Sequence, residues 1–355
     1  ASSGPAAGGA MRRMCWPLAA LVPSALLAWA CGTWAQASAW TGAAGTRGWP
    51  AVARTGLAGG GAHVLRGRGR PHLQASVVQD GPSIRFEGED LDRFAPPKQR
   101  RRGSGVIAVI RAVSFALTLY GLGMIFCLAI AVALPFVKRW DPRQRKLTDR
   151  LIQYWSKLLT WSFFKTRVYG RENLPPVDQA VVFVANHQSF MDILSSYHLS
   201  HPFKFVSKAE ILKIPAVGFA MKATKTLTIK REDRRSQLQA FRECVDTLKN
   251  GTSIFVFPEG TRSKDGALID FKKGPFAMAK RAKTPIVPIT INGTGRIMPS
   301  KREYLMYCSR AGVQIVVHPM VSAEDVQKAS DKELQDRVRG TIESAMPPSL
   351  RRGET

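Results

Sequence analysis

Apolar residues follow two contrasting patterns along the chain. The first is one uninterrupted stretch, from Ala112 to Val137, that contains no charged residue. The second begins near Arg167, where short apolar runs alternate with segments whose apolar residues recur every three to four positions. Short runs are typical of buried strands, and the three-to-four spacing is typical of helices with one apolar face. The chain is therefore predicted to form an α/β domain with a mixed, largely parallel sheet, preceded by a hydrophobic membrane segment.

The same patterns predict the individual elements of this domain. Strands are predicted at Val181–Ala185, Phe203–Ser207, Thr226–Lys230, Ser253–Phe257, Ile286–Ile291 and Val313–His318. Helices are predicted over residues 238–248, before a stop at Asn250-Gly251, and at Gly274–Ala282 and Asp331–Ala345. Because strands and helices alternate, most strands are expected to be parallel, with helices as crossovers.

The uncharged stretch is long enough to cross a bilayer. It has 26 residues between Arg111 and Lys138-Arg139, whereas about 20 apolar residues span the hydrocarbon core. The next stretch, Leu151–Phe164, is rich in aromatic residues but contains Lys157, and it is too short and too polar to span. It suits an amphipathic helix at the membrane surface. A spanning helix and a hairpin inserted into one leaflet both fit this order of segments.

The first 79 residues contain no aspartate or glutamate. Residues 11–39 look like a secretory signal, in which Arg12 and Arg13 precede an apolar stretch that ends in small residues. Residues 40–79 remain rich in arginine and glycine, as transit peptides are. This order predicts a bipartite leader that directs the chain to a plastid with additional envelope membranes. The endoplasmic reticulum membrane is the alternative location.

Changes in composition divide the rest of the chain. Residues 80–104 carry mixed charges and Pro96-Pro97, which is typical of a linker. Membrane-anchoring hydrophobic helices are predicted over 105–165, and the α/β domain over 166–322. A C-terminal helix and tail are predicted over 323–355.

The formal net charge of the 355 residues is +26, which indicates an anionic partner such as a nucleic acid, an acidic membrane or a phosphorylated substrate. Nucleic acid is disfavoured, because the sequence has neither a recognition module nor interleaved basic and aromatic residues. No CxxC, HExxH or GxSxG motif occurs, so no disulfide framework, metal site or serine hydrolase is indicated. Cys244 lies within a predicted helix and has no histidine partner in the sequence, which disfavours a thiol nucleophile.

A histidine and an aspartate follow the first predicted strand, in the sequence Asn186-His-Gln-Ser-Phe-Met-Asp192. A His–Asp pair can act as a general base towards a hydroxyl group, because imidazole has an ordinary pKa of about 6.5 and the carboxylate fixes its tautomer. Two residues five positions apart on a regular helix point in directions that differ by about 140°. His187 therefore has to precede the helix if its side chain is to meet that of Asp192. Ser189 and Asp192 also match a capping box, which explains the same residues structurally.

Basic residues follow two other predicted strands. The sequence Phe257-Pro-Glu-Gly-Thr-Arg-Ser263 contains an arginine, whose planar guanidinium matches phosphate oxygens, and Lys230-Arg231 ends another strand. Each cluster taken alone is equally typical of a solvated turn. In open parallel sheets, however, ligands bind at the carboxyl ends of the strands. His187, Arg231 and Arg262 together therefore indicate a phosphorylated alcohol as the ligand.

These ordered motifs resemble the glycerolipid acyltransferase family, and most closely its plastid-type 1-acyl-glycerol-3-phosphate acyltransferases. The resemblance runs from about Val168 to Met320. It includes both motifs described above, the Lys230-Arg231 pair, Tyr169-Gly-Arg-Glu-Asn-Leu-Pro-Pro176, Phe271-Lys-Lys-Gly274, Val287-Pro-Ile289 and Gly293-Thr-Gly-Arg-Ile-Met-Pro-Ser300. Several blocks in the family's order and spacing are far more specific than any one of them.

The resemblance implies a role for each matching residue. His187 looks like the general base and Asp192 like its orienting partner. The residues that look like phosphate ligands are Lys230, Arg231 and Arg262. Those that look like acceptor-binding residues are Glu259, Gly260 and Thr261, and those that look like the wall of an acyl site are Val287, Pro288 and Ile289.

The resemblance also implies a reaction at the membrane bilayer. An acyl group would pass from acyl-carrier-protein or acyl-CoA to the sn-2 hydroxyl of 1-acyl-sn-glycerol 3-phosphate (lysophosphatidic acid), giving phosphatidic acid, without a metal or bound cofactor. One alternative is a related acyltransferase that acts on glycerol 3-phosphate or another lysophospholipid. The other is a non-catalytic protein that binds lipid at the membrane surface.

Overall fold

A computed structural model describes residues 91–96, 104–230 and 232–351, together with the backbone of two short strands, β1 (Ala75–Val78) and β2 (Ser83–Phe86). β1 and β2 pair in an antiparallel manner. The signal-like segment predicted over 11–39 lies outside the described residues, as does the transit-like segment over 40–79 apart from β1.

Helices and strands alternate through most of the described chain. The helices are α1 (Ser104–Trp140), α2 (Lys146–Trp161), α3 (Met191–Ser196), α4 (Val217–Ala223), α5 (Arg234–Lys249), α6 (Gly274–Ala282), α7 (Thr294–Ile297), α8 (Ala323–Lys328) and α9 (Asp331–Ser344). The strands are β3 (Thr166–Tyr169), β4 (Val182–Ala185), β5 (Phe203–Lys208), β6 (Leu227–Ile229), β7 (Ser253–Val256), β8 (Ile286–Asn292) and β9 (Val313–Val317). Short 3-10 turns lie at Leu91–Phe94, Arg171–Asn173, Tyr197–Leu199, Ala209–Lys213 and Pro348–Leu350.

Strands β3 to β9 form one seven-stranded sheet in the order β3-β9-β8-β4-β7-β5-β6. Only β8 and β9 pair in an antiparallel manner, and the other neighbouring pairs of this sheet are parallel. The predicted mixed, largely parallel sheet is therefore confirmed. The central strands β4, β7 and β8 are buried along their whole length. Burial on both faces explains why their sequences are continuously apolar and do not alternate.

The predicted strands and the corresponding observed strands differ by no more than one residue at each end. The sequence patterns do not predict β3, which lies at one edge of the sheet and is only partly buried. A half-exposed edge strand needs no continuous apolar run, and Thr166-Arg-Val-Tyr169 has none. The apolar pattern therefore detects the centre of this sheet better than its edge.

The C-terminal helix α9 completes the core of the α/β domain. Its residues Leu334, Val338 and Ile342 are fully buried in the same cluster as Val184 of β4 and Phe276 of α6. Ser330 and Glu333 form a capping box that fixes the first turn of α9. Within the segment predicted as a separate C-terminal part, 323–355, helix α9 thus packs against the sheet of the domain predicted over 166–322.

Part of the predicted linker, 80–104, is also packed structure. Leu91 and Phe94 are buried, and the Ser349 hydroxyl donates to the carboxylate of Asp92 at 2.5 Å. The guanidinium of Arg296 donates to the carbonyl of Ala95 at 3.0 Å. These contacts attach residues 91–96 to the α/β domain, which the mixed-charge composition of this segment did not indicate.

Helix α1 is long and apolar enough to cross a membrane by length and composition. Its 37 residues correspond to about 55 Å, and large apolar side chains such as Ile125, Leu128 and Val132 are mostly exposed. Helix α2 packs beside it, and Phe163, two residues after the end of α2, contacts Phe115 of α1 edge to face at 5.2 Å.

Helix α2 turns its polar face towards the α/β domain. Its buried side chains are mostly polar: Thr148, Asp149, Gln153, Ser156, Leu159 and Thr160. The Gln153 amide donates to the carbonyl of His201, and the Ser156 hydroxyl donates to the carbonyl of Leu194. The exposed side chains include the large apolar ones, Leu147, Tyr154, Leu158 and Trp161, besides Lys146 and Arg150. The predicted amphipathic helix is present, but it begins at Lys146 and its hydrophobic face points away from the protein.

Candidate active site

The carboxyl ends of β4 and β7 bring two of the sequence motifs together. These strands are direct neighbours, with Val184 paired to Val256, so His187 and Glu259 lie just beyond the same edge of the sheet. The His187 N–H donates to Glu259 Oε1 at 2.6 Å, and the Ser263 N–H donates to the His187 carbonyl at 2.8 Å. The loop that follows β7 therefore holds the backbone of His187 on both sides.

The side chains of His187 and Asp192 form a hydrogen-bonded pair. Nδ1 of His187 lies 2.8 Å from Oδ2 of Asp192, which is fully buried and also accepts the N–H groups of Gln188 and Ser189. A carboxylate acceptor at Nδ1 places the proton on that nitrogen and leaves the lone pair of Nε2 free. The imidazole is 13% exposed and stacks on Phe257 at 3.9 Å. It is therefore held in one orientation while remaining open on one side.

Helix α3 begins later than the capping-box interpretation requires. Its first residue is Met191 and its N-cap position is Phe190, so His187 lies in the turn before the helix. The carboxylate of Asp192 accepts from the Ser189 N–H, which is one half of the box. The Ser189 hydroxyl makes no bond to the Asp192 N–H; it accepts from Met191 and donates to the carbonyl of Met298 at 2.6 Å. The turn is therefore also fixed by a contact with the segment after α7.

Asn186 ties the end of β4 to β8. Its amide donates to the carbonyl of Ile291 at 2.9 Å and its side-chain oxygen accepts the Ile291 N–H at 2.7 Å. This two-way bridge continues the pairing of the strands past their last ladder residue and sets the backbone from which His187 projects. The sequence placed Asn186 in the motif but gave it no role, because its partner lies 105 residues away.

Glu259 contacts backbone groups in this structure. The buried carboxylate accepts the N–H groups of His187 and Ile269, one on each oxygen. Burial raises the pKa of Glu259 to about 7, while the two backbone hydrogen bonds act in the opposite direction. Glu259 thus joins the His187 turn to the far side of its own loop, a contact that the sequence-based expectation of acceptor binding did not include.

Gly260 and Thr261 form the tip of the turn after β7. Gly260 has a φ of 70°, which glycine adopts more readily than other residues. A Cβ atom at this position would lie 2.8 Å from Cε of Lys272, so the lysine side chain occupies the space that a side chain at 260 would need. Thr261 is exposed. Gly260 is half-buried.

Arg262 is paired with a carboxylate that the sequence did not indicate. Its guanidinium lies 2.5 Å from Oε1 of Glu303, and their side chains are 28% and 9% exposed. The Lys301 N–H donates to the same carboxylate oxygen at 3.2 Å. Glu303 follows α7, 41 residues beyond Arg262, so no local pattern could have predicted this pair.

Lys230 is not adjacent to the His187 turn in this structure. It follows β6 at the edge of the sheet, and β6 is separated from β4 by β5 and β7. Three strand spacings correspond to about 14 Å. Lys230 helps to line a polar surface cavity of about 290 Å³, together with residues such as Asp233 and Arg235. Arg231 lies outside the described residues.

The segment Val287-Pro288-Ile289 forms the middle of β8, between β4 and β9. Ile289 pairs with Ala185, the last residue of β4. All three side chains are buried in the sheet core. They therefore belong to the buried strand that pairs with the last residues of β4.

Cys244 is buried in α5, and burial raises the pKa of its thiol to about 12. The thiolate, which is the reactive form of cysteine, is therefore disfavoured at neutral pH.

The sequence matches the family model described as Acyltransferase over residues 165–292. It is 42% identical over 246 residues to a 1-acyl-sn-glycerol-3-phosphate acyltransferase of Chlamydomonas reinhardtii. This match covers 69% of this chain and 72% of the algal protein. A chloroplastic 1-acyl-sn-glycerol-3-phosphate acyltransferase of Arabidopsis thaliana is 43% identical over 184 residues. That match covers 52% of this chain and 51% of the plant protein, so this chain spans about half the length of that relative.

A similar fold occurs in the crystal structure of PlsC, the 1-acyl-sn-glycerophosphate acyltransferase from Thermotoga maritima. The TM-score is 0.56 and the sequence identity 28%, over 66% of this chain and 93% of the bacterial chain. The expected family and the expected fold are both confirmed by these similarities. The chain belongs to the family of 1-acyl-sn-glycerol-3-phosphate acyltransferases.

Proposed function

We propose that this chain transfers an acyl group from acyl-carrier-protein or acyl-CoA to the sn-2 hydroxyl of 1-acyl-sn-glycerol 3-phosphate, giving phosphatidic acid. The observation that carries the proposal is the His187–Asp192 pair, held beside the turn that contains Arg262. A base next to a phosphate-binding group suits an acceptor that has both a hydroxyl and a phosphate. The names of the relatives support the same acceptor.

In the proposed reaction, Nε2 of His187 takes the proton from the sn-2 hydroxyl as its oxygen attacks the carbonyl carbon of the donor thioester. The tetrahedral intermediate then collapses, the carbon–sulfur bond breaks, and the imidazolium returns the proton to the leaving thiolate. The products are phosphatidic acid and the free thiol of the donor, so protons and electrons balance without an acyl-enzyme. A base of this kind contributes about 10²–10⁴-fold to a rate.

Asp192 acts on the reaction through His187. The carboxylate keeps the proton on Nδ1, so that Nε2 faces the acceptor as a lone pair, and it stabilises the imidazolium that forms. Because three N–H groups converge on its Oδ2 atom, the carboxylate has little freedom to turn away. Glu259 contributes to the same alignment by holding the backbone of His187.

We assign the acceptor phosphate to Arg262, with Lys230 and Arg231 as further phosphate ligands from the end of β6. Gly260 and Thr261 lie beside the acceptor, and the strand segment Val287-Pro288-Ile289 backs the acyl site. Binding of the phosphate fixes the distance between the acceptor hydroxyl and Nε2, and positioning of this kind can supply several kcal/mol of the rate enhancement.

We further infer that the protein works at a membrane. Helix α1 enters the bilayer, and the outward apolar face of α2 lies in the interfacial region. Two relatives, from Arabidopsis thaliana and Brassica napus, are named chloroplastic, and we propose a plastid membrane as the location. A plastid location favours acyl-carrier-protein as the donor, and the basic charge of the chain suits that acidic protein.

The test uses membranes that contain the full chain, either wild type or His187→Ala. 1-acyl-sn-glycerol 3-phosphate is supplied with acyl-carrier-protein or acyl-CoA donors, and phosphatidic acid is followed. We expect product from the wild type and a loss of at least about a hundredfold in the variant. Equal rates would remove His187 as the base. A folded wild-type protein that makes no phosphatidic acid with either donor would overturn the proposed reaction.

A further inference from the structure

Among the cations of the loop after β7, Arg262 and Lys272 have different surroundings. The guanidinium of Arg262 is paired with Glu303, whose carboxylate is nearly buried. Its positive charge is therefore compensated in the absence of substrate. Lys272 is exposed, and its ammonium has no carboxylate partner in the part of the chain that the structure describes. Lys272 is thus an uncompensated cation of this loop, and it is the one whose side chain lies against Gly260.

The backbone of Lys272 is bonded to this turn, and its side chain lies over it. Its N–H donates to the carbonyl of Pro258 at 2.9 Å. Its Cδ, Cε and Nζ atoms lie 3.1, 2.8 and 2.9 Å from the position that a Cβ atom would take on Gly260. Because Gly260 has no side chain, the side chain of Lys272 has room to cross the turn.

This position connects Lys272 with the proposed base. Gly260 directly follows Glu259, which accepts the His187 N–H at 2.6 Å. Ser263, at the other end of the same turn, donates to the His187 carbonyl at 2.8 Å. The ammonium of Lys272 therefore belongs to the loop that holds His187, whereas Lys230 lies at the far edge of the sheet.

We propose that Lys272 is a further substrate-binding residue, whose ammonium binds the phosphate monoester of the acceptor together with Arg262. The inference rests on the proposed function and adds a residue that binds the phosphate of the same acceptor. It also gives a reason for glycine at 260, because any larger residue there would displace the lysine.

The charge of the acceptor calls for a second cation at the turn itself, because Lys230 follows β6, which is three strands away from β4. A phosphate monoester carries a charge of about −1.5 to −2 at pH 7. The pair of Arg262 and Glu303 contributes almost no net charge, so Arg262 supplies directed hydrogen bonds while the attraction needs another positive group. An exposed lysine provides a flexible point charge with three donors, which can follow the phosphate as it enters.

The experiment measures steady-state kinetics of the full chain in mixed micelles, with lysophosphatidic acid as acceptor. The variants are Lys272→Met, which keeps the apolar stem but removes the charge, Lys272→Arg, which restores a charge, and Lys273→Met as a matched control. Lys273 is the neighbouring exposed lysine, so its replacement changes the net charge equally. The thermal unfolding temperature of each variant shows whether the fold is intact, and Lys272→Gln serves if Lys272→Met does not fold.

We expect the KM for lysophosphatidic acid to rise about ten- to a hundredfold in Lys272→Met, because one charged hydrogen bond is lost. The donor KM, and kcat at saturating acceptor, should change less than about threefold, and Lys272→Arg should recover most of the affinity. An unchanged acceptor KM, a rise in the donor KM alone, or an equal effect of Lys273→Met would overturn the inference. A wild type without activity would defeat the proposed function itself, whereas an active wild type with an unaffected Lys272→Met variant would defeat only the role of Lys272.

Discussion

Helices α2 and α9 are both amphipathic, and both pack against the α/β domain, but they bury opposite faces. Helix α9 buries Leu334, Val338 and Ile342 and exposes charged residues such as Lys332. Helix α2 buries mainly polar residues and exposes Leu158 and Trp161. One helix is arranged as in a water-soluble domain, and the other is reversed.

The surroundings of a helix therefore select the face that it buries. In water, burying an apolar side chain is favourable by about 1.5–3 kcal/mol, which directs the apolar face of α9 inwards. On the proposed placement, the outer face of α2 contacts lipid. There, exposing an apolar group costs no free energy, whereas exposing a polar group is unfavourable. The polar face of α2 is then best placed against the protein, where Asp149, Gln153 and Ser156 find partners.

The strongest way to test the reversed interface is to break its buried ion pair. Asp149 lies 2.5 Å from Lys204, and both side chains are nearly inaccessible. Burial raises the pKa of Asp149 to about 7 and lowers that of Lys204. Asp149→Leu should lower the free energy of unfolding by about 3–5 kcal/mol, because a buried ammonium is left unpaired. Thermal or denaturant unfolding in detergent measures this loss.

The matched control for this pair is the double variant Asp149→Leu with Lys204→Met. It should recover most of the stability, since two apolar side chains of similar volume replace the two charges. If Asp149→Leu alone were harmless, the polar face of α2 would not depend on this pair for its attachment to the domain.

A second test compares the same substitution on the two helices. Leu334→Ala in α9 should cost about 2–5 kcal/mol of unfolding free energy, because Leu334 is fully buried. Leu158→Ala in α2 should stay within about 0.5 kcal/mol in a detergent solution, since that side chain is 46% exposed. Similar losses for both variants would mean that α2 buries its apolar face in the folded protein.

The smallest expected effect is spectroscopic. A polarity-sensitive dye is attached to Leu158→Cys or to Lys332→Cys, in a background without other cysteines, and lipid vesicles are present. The emission from position 158 should shift to shorter wavelength and resist an aqueous quencher, because the dye lies among lipid. The dye at position 332, on the polar face of α9, should show neither effect. Equal spectra would argue against the proposed placement of α2.

The sequence predicted the central strands well because their burial on both faces leaves a continuous apolar run. β4, β7 and β8 are examples, and the predicted α6 has the observed bounds, Gly274–Ala282. Edge strand β3 and the packed turn Leu91–Phe94 were not predicted, since part of each is exposed and their partners are distant in sequence.

At the candidate site, the sequence brought His187 and Asp192 together because their partnership is local, within one turn. The partners of Arg262 and Asn186 are Glu303 and Ile291, 41 and 105 residues away. The position of Lys272 over Gly260 is equally non-local. Such contacts depend on how loops from different strands meet, which no periodic pattern records.

The sequence alone therefore determined the α/β class, the family and the order of the motifs, because these depend on apolar periodicity and on residues that are close in the chain. The buried face of α2 and the pairing of the cations near the site became evident from the three-dimensional contacts. These contacts also revealed that Glu259 holds the backbone of His187. The physical reason is the same in each case: the free energy of a polar or charged side chain depends on the partner that it meets, and that partner is supplied by the fold.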